Sequence, residues 1–225
     1  MPSAARIAPQ PHRPGLATQA RAEVGPRLRP VGAEQREEVE AFIRSVYQAQ
    51  FGARIRAFLP ELYTLRDSHD DIAAALGLRL AATAPLFLES YLPHRIEQCI
   101  AAASGRPVCR HQVVEIGNLA GRDPGVLRQV LPRMGEVLRQ RGLRWLCFTG
   151  HARLINSFRR LGIQLLTLGP AGIDALPEAQ RAEWGSYYLH DPVVVACDIS
   201  AGREQLLAHP ELLAARFERA LRSDA

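Results

Sequence analysis

Apolar residues recur at helical intervals across 34–52, where Val39, Phe42, Ile43, Val46 and Tyr47 share one side and Glu34, Glu37 and Glu38 crowd the start. That spacing, with acids at the positive end of the helix dipole, predicts a helix stopping near Gly52. Segments 58–67 and 71–82 read as two strands joined by the polar turn "DSHD", although the alanines of the second also suit a helix. A short apolar segment, 85–92, is interrupted by Glu89, and a short helix is expected from Pro93 to Gly105. A strand over 112–119 precedes a helix over 124–141, whose Val126, Leu127, Val130, Leu131, Met134, Val137 and Leu138 form one stripe with Pro132 on its polar side. A strand at 143–150, a helix at 152–162, a strand at 163–168, a bent strand or strand pair at 184–199 and a charged helix at 203–222 complete the pattern. Alternating strands and helices around a mixed central sheet predict one α/β (α+β) domain over 31–200, with a C-terminal helix inside 201–225. Residues 1–30, rich in Pro and Arg and without periodicity, are expected to be a disordered tail.

Composition narrows the chemistry. All 28 basic residues are Arg, which excludes a lysine Schiff base, a P-loop lysine and a Ser-Lys dyad. Cys99, Cys109, Cys147 and Cys197 are scattered, with no Cys-x-x-Cys pair, and the seven histidines are scattered as well, so no zinc site is expected. Cys147 and Cys197 lie in apolar runs and read as buried free thiols, which fits a reducing cytoplasm. No apolar run approaches the roughly 20 residues that span a bilayer, and the N-terminus has no apolar signal region. No helix-turn-helix, zinc or RNA-binding aromatic signature accompanies the basic tail, so nucleic acid is not an expected partner.

The chemistry concentrates in "QVVEIGNLAGRDPGVLRQVL", residues 112–131. Glu115 sits inside an apolar strand, where an unpaired carboxylate is costly. It is therefore neutral, paired with Arg79, Arg110 or Arg144, or part of a site. Gly117 weakens the strand and marks a bulge that opens the sheet beside it. Asp123 and Pro124 form a helix start flanked by Gly121 and Gly125, and such a helix N-terminus suits a pyrophosphate; an ordinary strand-to-helix turn has the same composition. Glu89 is a second carboxylate in an apolar run, suited to an acceptor amine or to pairing with Arg95. In "WGSYY" (184–188), two adjacent tyrosines on a strand face opposite sides, so one of Tyr187 and Tyr188 lines a cleft. Thr149 and His151 end a strand beside it.

The strand, Gly-bearing turn, helix, strand, helix and Gly across 112–168 resemble the second half of a GNAT-type N-acyltransferase. "RDPG" (122–125) matches the start of that fold's pyrophosphate loop, with Leu127 at its last small position. "SFRRLGI" (157–163) lines up with the signature that usually carries a tyrosine to protonate the leaving thiolate; here that residue is Phe158. Five ordered blocks, "VYQAQFGARIRAFLP", "LFLESYL", "VVEIGNLAG", "FTGHARLINSFRRLG" and "WGSYYLHDPVVVACDI", resemble the bacterial thermostable hemolysin family over residues 40–199. "VVEIGNLA" is also similar to the Glu-x-x-Arg strand of acyl-homoserine-lactone synthases, with Asn118 in place of that Arg.

These resemblances imply a GNAT-like sheet and acyl transfer from acyl-CoA or acyl carrier protein to an amine or hydroxyl, with no permanently bound cofactor and no metal. The thioester's pantetheine would run along Asn118, Leu119 and Ala120, and its phosphate would sit at Gly121, Arg122, Gly125 and Val126. Glu115 would be the general base and Tyr187 the acid missing at Phe158, with N–H groups near 119–120 as the oxyanion hole. Glu89, Tyr188 and Thr149 would face the small-molecule acceptor. Arg122 and Arg128 would meet an acidic carrier protein. The rival expectation, from the family name, is a non-catalytic membrane-acting protein, and a peripheral membrane contact fits either reading.

Overall fold

The computed structural model describes residues 28–123 and 125–208. The alternating pattern folds into strands β1 (Leu28–Pro30), β2 (Glu61–Arg66), β3 (Ile72–Leu80), β4 (Val113–Gly121), β5 (Trp145–Gly150), β6 (Leu166–Pro170) and β7 (Val193–Asp198). The helices are α1 (Arg36–Phe51), α2 (Ile96–Ser104), α3 (Leu127–Gln140), α4 (Ala152–Arg160), α5 (Glu178–Arg181) and α6 (Ile199–Ala208). One sheet holds all seven strands in the order β1-β2-β3-β4-β5-β7-β6. Every neighbouring pair is antiparallel except β4 and β5, which are parallel.

Side chains alternate across the sheet and feed two cores. On one face α3, α4 and α6 cover β4, β5 and β7. There Val126, Val130, Met134 and Leu138, spaced by one helical turn, bury against Val114, Ile116 and Phe148. On the other face α1 lays Val39 and Ile43 over Leu62, Ala75 and Ala120. Beside it α2 and a 3-10 turn at Phe87–Tyr91 set Leu88, Ile96 and Ile100 over Val113, Cys147 and Ala196.

Most predicted elements are present, with shifted ends. Ala74 and Ala75 are fully buried, on opposite faces of β3, so the alanines of 71–82 serve close packing of a central strand and not a helix. Residues 28–30, assigned to the tail, instead pair with β2 as an edge strand. There the missing N–H of Pro30 is tolerated. Helix α2 begins at Ile96 instead of Pro93, and α3 at Leu127 instead of 124. Pro132 lies within α3 and faces α6 across a cavity, not open solvent. The largest correction concerns 184–199. Only Val193–Asp198 is a strand; Ala182–Trp184 and Tyr187–His190 are 3-10 turns, broken by left-handed backbone at Gly185 (φ 51°) and Asp191 (φ 44°). A Cβ at Gly185 would run into the Phe51 carbonyl, which accepts the Ser186 N–H at 2.8 Å. Docking on the end of α1 thus overrides the strand propensity of the segment. The C-terminal helix starts at Ile199, and its predicted continuation through 222 lies outside the described residues, as do residues 1–27.

Candidate active site

The site grows from a mismatch between β4 and its neighbours. Parallel pairing with β5 ends at Ile116↔Phe148, although β4 continues to Gly121 and β5 continues along β7 to Gly150. Beyond Ile116 the two strands part, and β4 keeps β3 alone as its partner. The bulge predicted from Gly117 is present one residue on. Gly77 pairs with Gly117 but Ala75 with Ala120, and Asn118 takes a left-handed φ of 50°. Asn118 pays for that conformation with its side chain: Oδ1 accepts the Leu59 N–H at 2.8 Å and Nδ2 donates to the Ala57 carbonyl at 3.1 Å. Leu59 also sits directly on Gly77 and Gly117, where a Cβ would come within 2.7 and 3.0 Å of it. The segment entering β2 is thereby pinned across the bulge.

Glu115 lies one residue before the parting, on the α2 side of the sheet, and is 4% exposed. Its Oε2 accepts the Phe87 N–H at 2.9 Å and its Oε1 the Leu88 N–H at 3.0 Å, at the start of the 3-10 turn. None of the ion pairs among the described residues involves it. Arg110 pairs with Glu89 and Glu97, Arg144 with Asp198, and Arg79, its cross-strand neighbour, reaches the Pro85 carbonyl at 3.4 Å. Burial therefore raises the Glu115 carboxyl above its ordinary range, against the two backbone N–H bonds and the charge of Arg79.

Glu89 differs. Burial would raise it too, but the Arg110 guanidinium grips both its oxygens, at 2.6 and 3.0 Å, and it also accepts the N–H groups of Ile96 and Leu86. These hold its carboxyl down at about 2. Its partner is Arg110 and not Arg95, whose contact is Glu97 at 3.8 Å, and its oxygens are fully engaged in joining the turn to α2.

The two tyrosines of "WGSYY" are not on a strand, and both turn inward. Tyr187 donates its hydroxyl to the Thr149 carbonyl at 3.3 Å, at the β5 side of the parting, and its ring meets Phe51 edge-on at 5.2 Å. The Tyr188 hydroxyl bonds that of Tyr91. Burial raises all three phenols, and Tyr91 lies close enough to Glu115 to be raised further by its charge. Trp184 stacks on Phe87 at 6.1 Å and meets Tyr188 edge-on at 5.6 Å. A cluster of rings thus reaches the β5 side of the parting through Tyr187, and the turn that carries its Phe87 and Tyr91 holds the buried Glu115. Sequence reasoning missed Tyr91, Phe51 and Phe87 in this cluster; all three lie inside the quoted blocks, but a ring in an apolar run has no signal separating the cluster from core.

At the loop to α3, the Arg122 backbone N–H extends β4 pairing to Ala73, while its guanidinium turns back to Asp67 (3.1 Å) and the Ile72 carbonyl (2.8 Å). Asp123 does not cap the helix with its side chain; its carbonyl accepts the Val126 N–H at 3.1 Å. A Cβ on Gly125 would meet nothing within 4 Å, and Val126 is buried in the core. Phe158, in place of a thiolate-protonating tyrosine, is 3% exposed and stacks on Phe148 at 4.9 Å. Beyond it, between α3 and α6, lies an apolar cavity of about 140 Å³ lined by Leu131, Met134, Leu146, Phe158 and Leu206. Among the described residues no cluster of three metal-ligating side chains occurs, and no helix is long and apolar enough to cross a membrane.

The mixed seven-stranded sheet with its covering helices matches the GNAT-like fold of acyl-homoserine-lactone synthases. The solved structure of the AHL synthase LasI superposes with a TM-score of 0.55 at 10% identity, covering 81% of this chain and 95% of that one. FeeM, an N-acyl amino acid synthase from uncultured soil microbes, gives 0.53 at 16% identity over 82% and 97%. BjaI, a CoA-dependent acyl-homoserine lactone synthase solved with SAM and isopentyl-CoA, gives 0.53 at 16% over 84% and 90%. No curated protein matches the sequence. The thermostable hemolysin family model matches residues 30–203, and the chain belongs to that family.

Proposed function

We propose that this protein is an acyltransferase that moves an acyl group from an acyl-CoA or acyl carrier protein thioester to an amine or hydroxyl acceptor. The observation that carries this reading is the parting of β4 from β5 at Ile116, which leaves one edge of 117–121 without a strand partner among the described residues, beside the start of a 14-residue helix. Backbone donors and acceptors of Asn118, Leu119 and Ala120 serve the amide groups of a pantetheine arm. The first turn of α3, entered through Gly121 and Gly125, receives its phosphate. The acyl chain lies on the α3 side, where the cavity beyond Phe158 is wholly apolar in its side chains except for Arg203 at its rim.

On the opposite side Glu115 is the general base. A carboxylate raised by burial and unpaired with any cation is a better proton acceptor near neutral pH than an ordinary one. The Phe87 N–H that Glu115 accepts belongs to one of the ring residues, which ties the carboxylate to the ring cluster. Tyr187, bonded to the β5 edge at Thr149, is the candidate acid for the leaving thiolate. Glu89 acts through the fold, holding the turn that roofs Glu115.

The reading is tested by thermal shift with CoA and acyl-CoAs of increasing length, repeated on Gly125→Glu. Site space at Gly125 leaves the fold intact, while the new carboxylate opposes a phosphate at the helix start. A ligand at about 100 times its dissociation constant stabilises by roughly 2.7 kcal/mol, so the wild-type melting point should rise and the variant's should not. Vesicle leakage caused by the protein without any thioester, and unchanged in Glu115→Gln, would decide instead for a membrane-acting protein.

A further inference from the structure

We infer that the donor carries a straight, apolar acyl chain of about ten to twelve carbons, and that Phe158 is the residue that sets this length. The inference rests on the acyl-transfer reading and names the donor class for the same site.

The position of Phe158 carries it. On the α3 side of β5, side-chain alternation places Leu146, Phe148 and Gly150 in a row. Phe148 lies opposite Ile116, the last pair before β4 and β5 part. Its ring leans along the strand towards the parting, where a Cβ on Gly150 would come within 3.1 Å of it. Leu146, two positions back and level with Val114, lines the apolar cavity between α3 and α6. Phe158, brought in by α4, touches both neighbours of this row. It stacks on Phe148 at 4.9 Å, with the rings 26° from parallel, and it also lines the cavity. On this face of the sheet the way from the parting to the cavity therefore runs past the Phe158 ring.

The cavity is unlike the rest of the core. Protein interiors hold few voids larger than a water molecule, whereas this one holds about 140 Å³. Leu131, Met134, Leu146 and Leu206 supply apolar walls, and Arg203 stands at the rim, 3.6 Å from Glu136. The Cys197 thiol in the wall donates to the Asp198 carbonyl at 3.4 Å, and burial pushes it up to about 12, so it stays neutral. A lining of this kind suits a hydrocarbon and leaves a polar chain end without partners. Gly135 of α3 opens on the same space, because a Cβ there would meet nothing within 4 Å.

Length follows from the strand rise. From the Ile116–Phe148 pair back to Leu146 is two positions, or about 7 Å, which an extended acyl chain covers with about six carbons. An apolar cavity of about 150 Å³ takes a benzene-sized hydrocarbon, equivalent to about six carbons more. Shorter chains end against Phe148 and Phe158. Longer ones turn the Phe158 ring aside and enter the cavity.

The test uses the full chain with straight-chain donors from butanoyl to hexadecanoyl, on CoA and on acyl carrier protein, and reads both binding and thiol release. Affinity should rise about fourfold with each methylene beyond hexanoyl, the worth of burying one CH₂, and level off near dodecanoyl. Phe158→Leu removes the ring and keeps an apolar side chain, so it should raise the kcat/KM ratio of dodecanoyl to butanoyl donor several-fold. Gly135→Leu fills the cavity from α3 and should cut the same ratio at least tenfold. A ratio compares two donors on one folded protein, so a variant that only loses stability leaves it unmoved. Affinity that stops rising at hexanoyl, or a ratio indifferent to Gly135→Leu, would overturn the inference while acyl transfer stands; the cavity would then belong to packing against the residues beyond Ala208. Failure of every donor to bind, on either carrier, would overturn the acyl-transfer reading and this inference with it.

Discussion

Glu89 and Glu115 both accept backbone N–H groups at the start of one 3-10 turn, and both interrupt apolar sequence, yet their surroundings are opposite. Glu89 meets a guanidinium on both oxygens and two backbone N–H groups, and is held down at about 2. Glu115 meets two backbone N–H groups and no ion-pair partner among the described residues, and burial holds it up. One carboxylate is fully compensated and joins the turn to α2. The other is under-compensated and keeps an affinity for protons. Compensation, and not burial, separates a structural acid from a chemical one.

The sharpest way to break that contrast is to neutralise each acid in turn. Glu115→Gln should lower turnover by about 10²- to 10⁴-fold, the usual worth of a positioned base. Its amide oxygen accepts only one of the two N–H groups, so stability should fall as well, by about 1–2 kcal/mol. Steady-state kinetics beside thermal melting separates the two effects; full activity in a folded variant would remove Glu115 from the mechanism. Arg110→Ala should do the reverse. It strands Glu89 and Glu97 and should cost roughly 3 kcal/mol of stability, read as a lower denaturant midpoint.

Acid titration distinguishes the two by sign. A depressed carboxyl such as Glu89 contributes stability that is present above its ordinary value of 4.5 and is lost as pH falls through about 2. Arg110→Ala should diminish that low-pH loss, leaving the part due to the Ile96 and Leu86 N–H bonds. A raised carboxyl such as Glu115 has the opposite linkage: it costs stability at neutral pH, and the cost is relieved as pH falls below its folded value. The same group places the acid limb of kcat/KM above the ordinary carboxylate range, and a limb at or below 4.5 would contradict the assignment.

The smallest expected effect is at the bulge. Asn118→Gly keeps the left-handed backbone without strain and loses the two bonds to 57–59, so it should cost about 1–2 kcal/mol. Asn118→Ala should cost more, because it adds the backbone penalty. Equal losses in a melting comparison would mean that the side-chain clamp alone sets the bulge.

Much of this was legible in the residues. Val39, Ile43 and Tyr47 mark the buried side of α1, and Val130, Met134 and Leu138 that of α3, because one helical turn returns each side chain to the same face. The apolar run around Glu115 and the glycine after it mark both the buried acid and the nearby bulge. The 182–191 segment was not legible as turns. Its Trp and Tyr favour strand locally, and the Ser186 bond to the Phe51 carbonyl, 135 positions away, decides otherwise.

By itself the sequence determined the order of elements, the inward face of each, the family and the presence of two uneasy carboxylates, because these depend on periodicity and local composition. Tertiary structure alone decided which arginine answers which acid, where β4 leaves β5, and which rings gather beside the gap. Those depend on contacts between residues that lie 13 to 97 positions apart, from Arg110 with Glu97 to Tyr91 with Tyr188, and local pattern carries no information about such pairings.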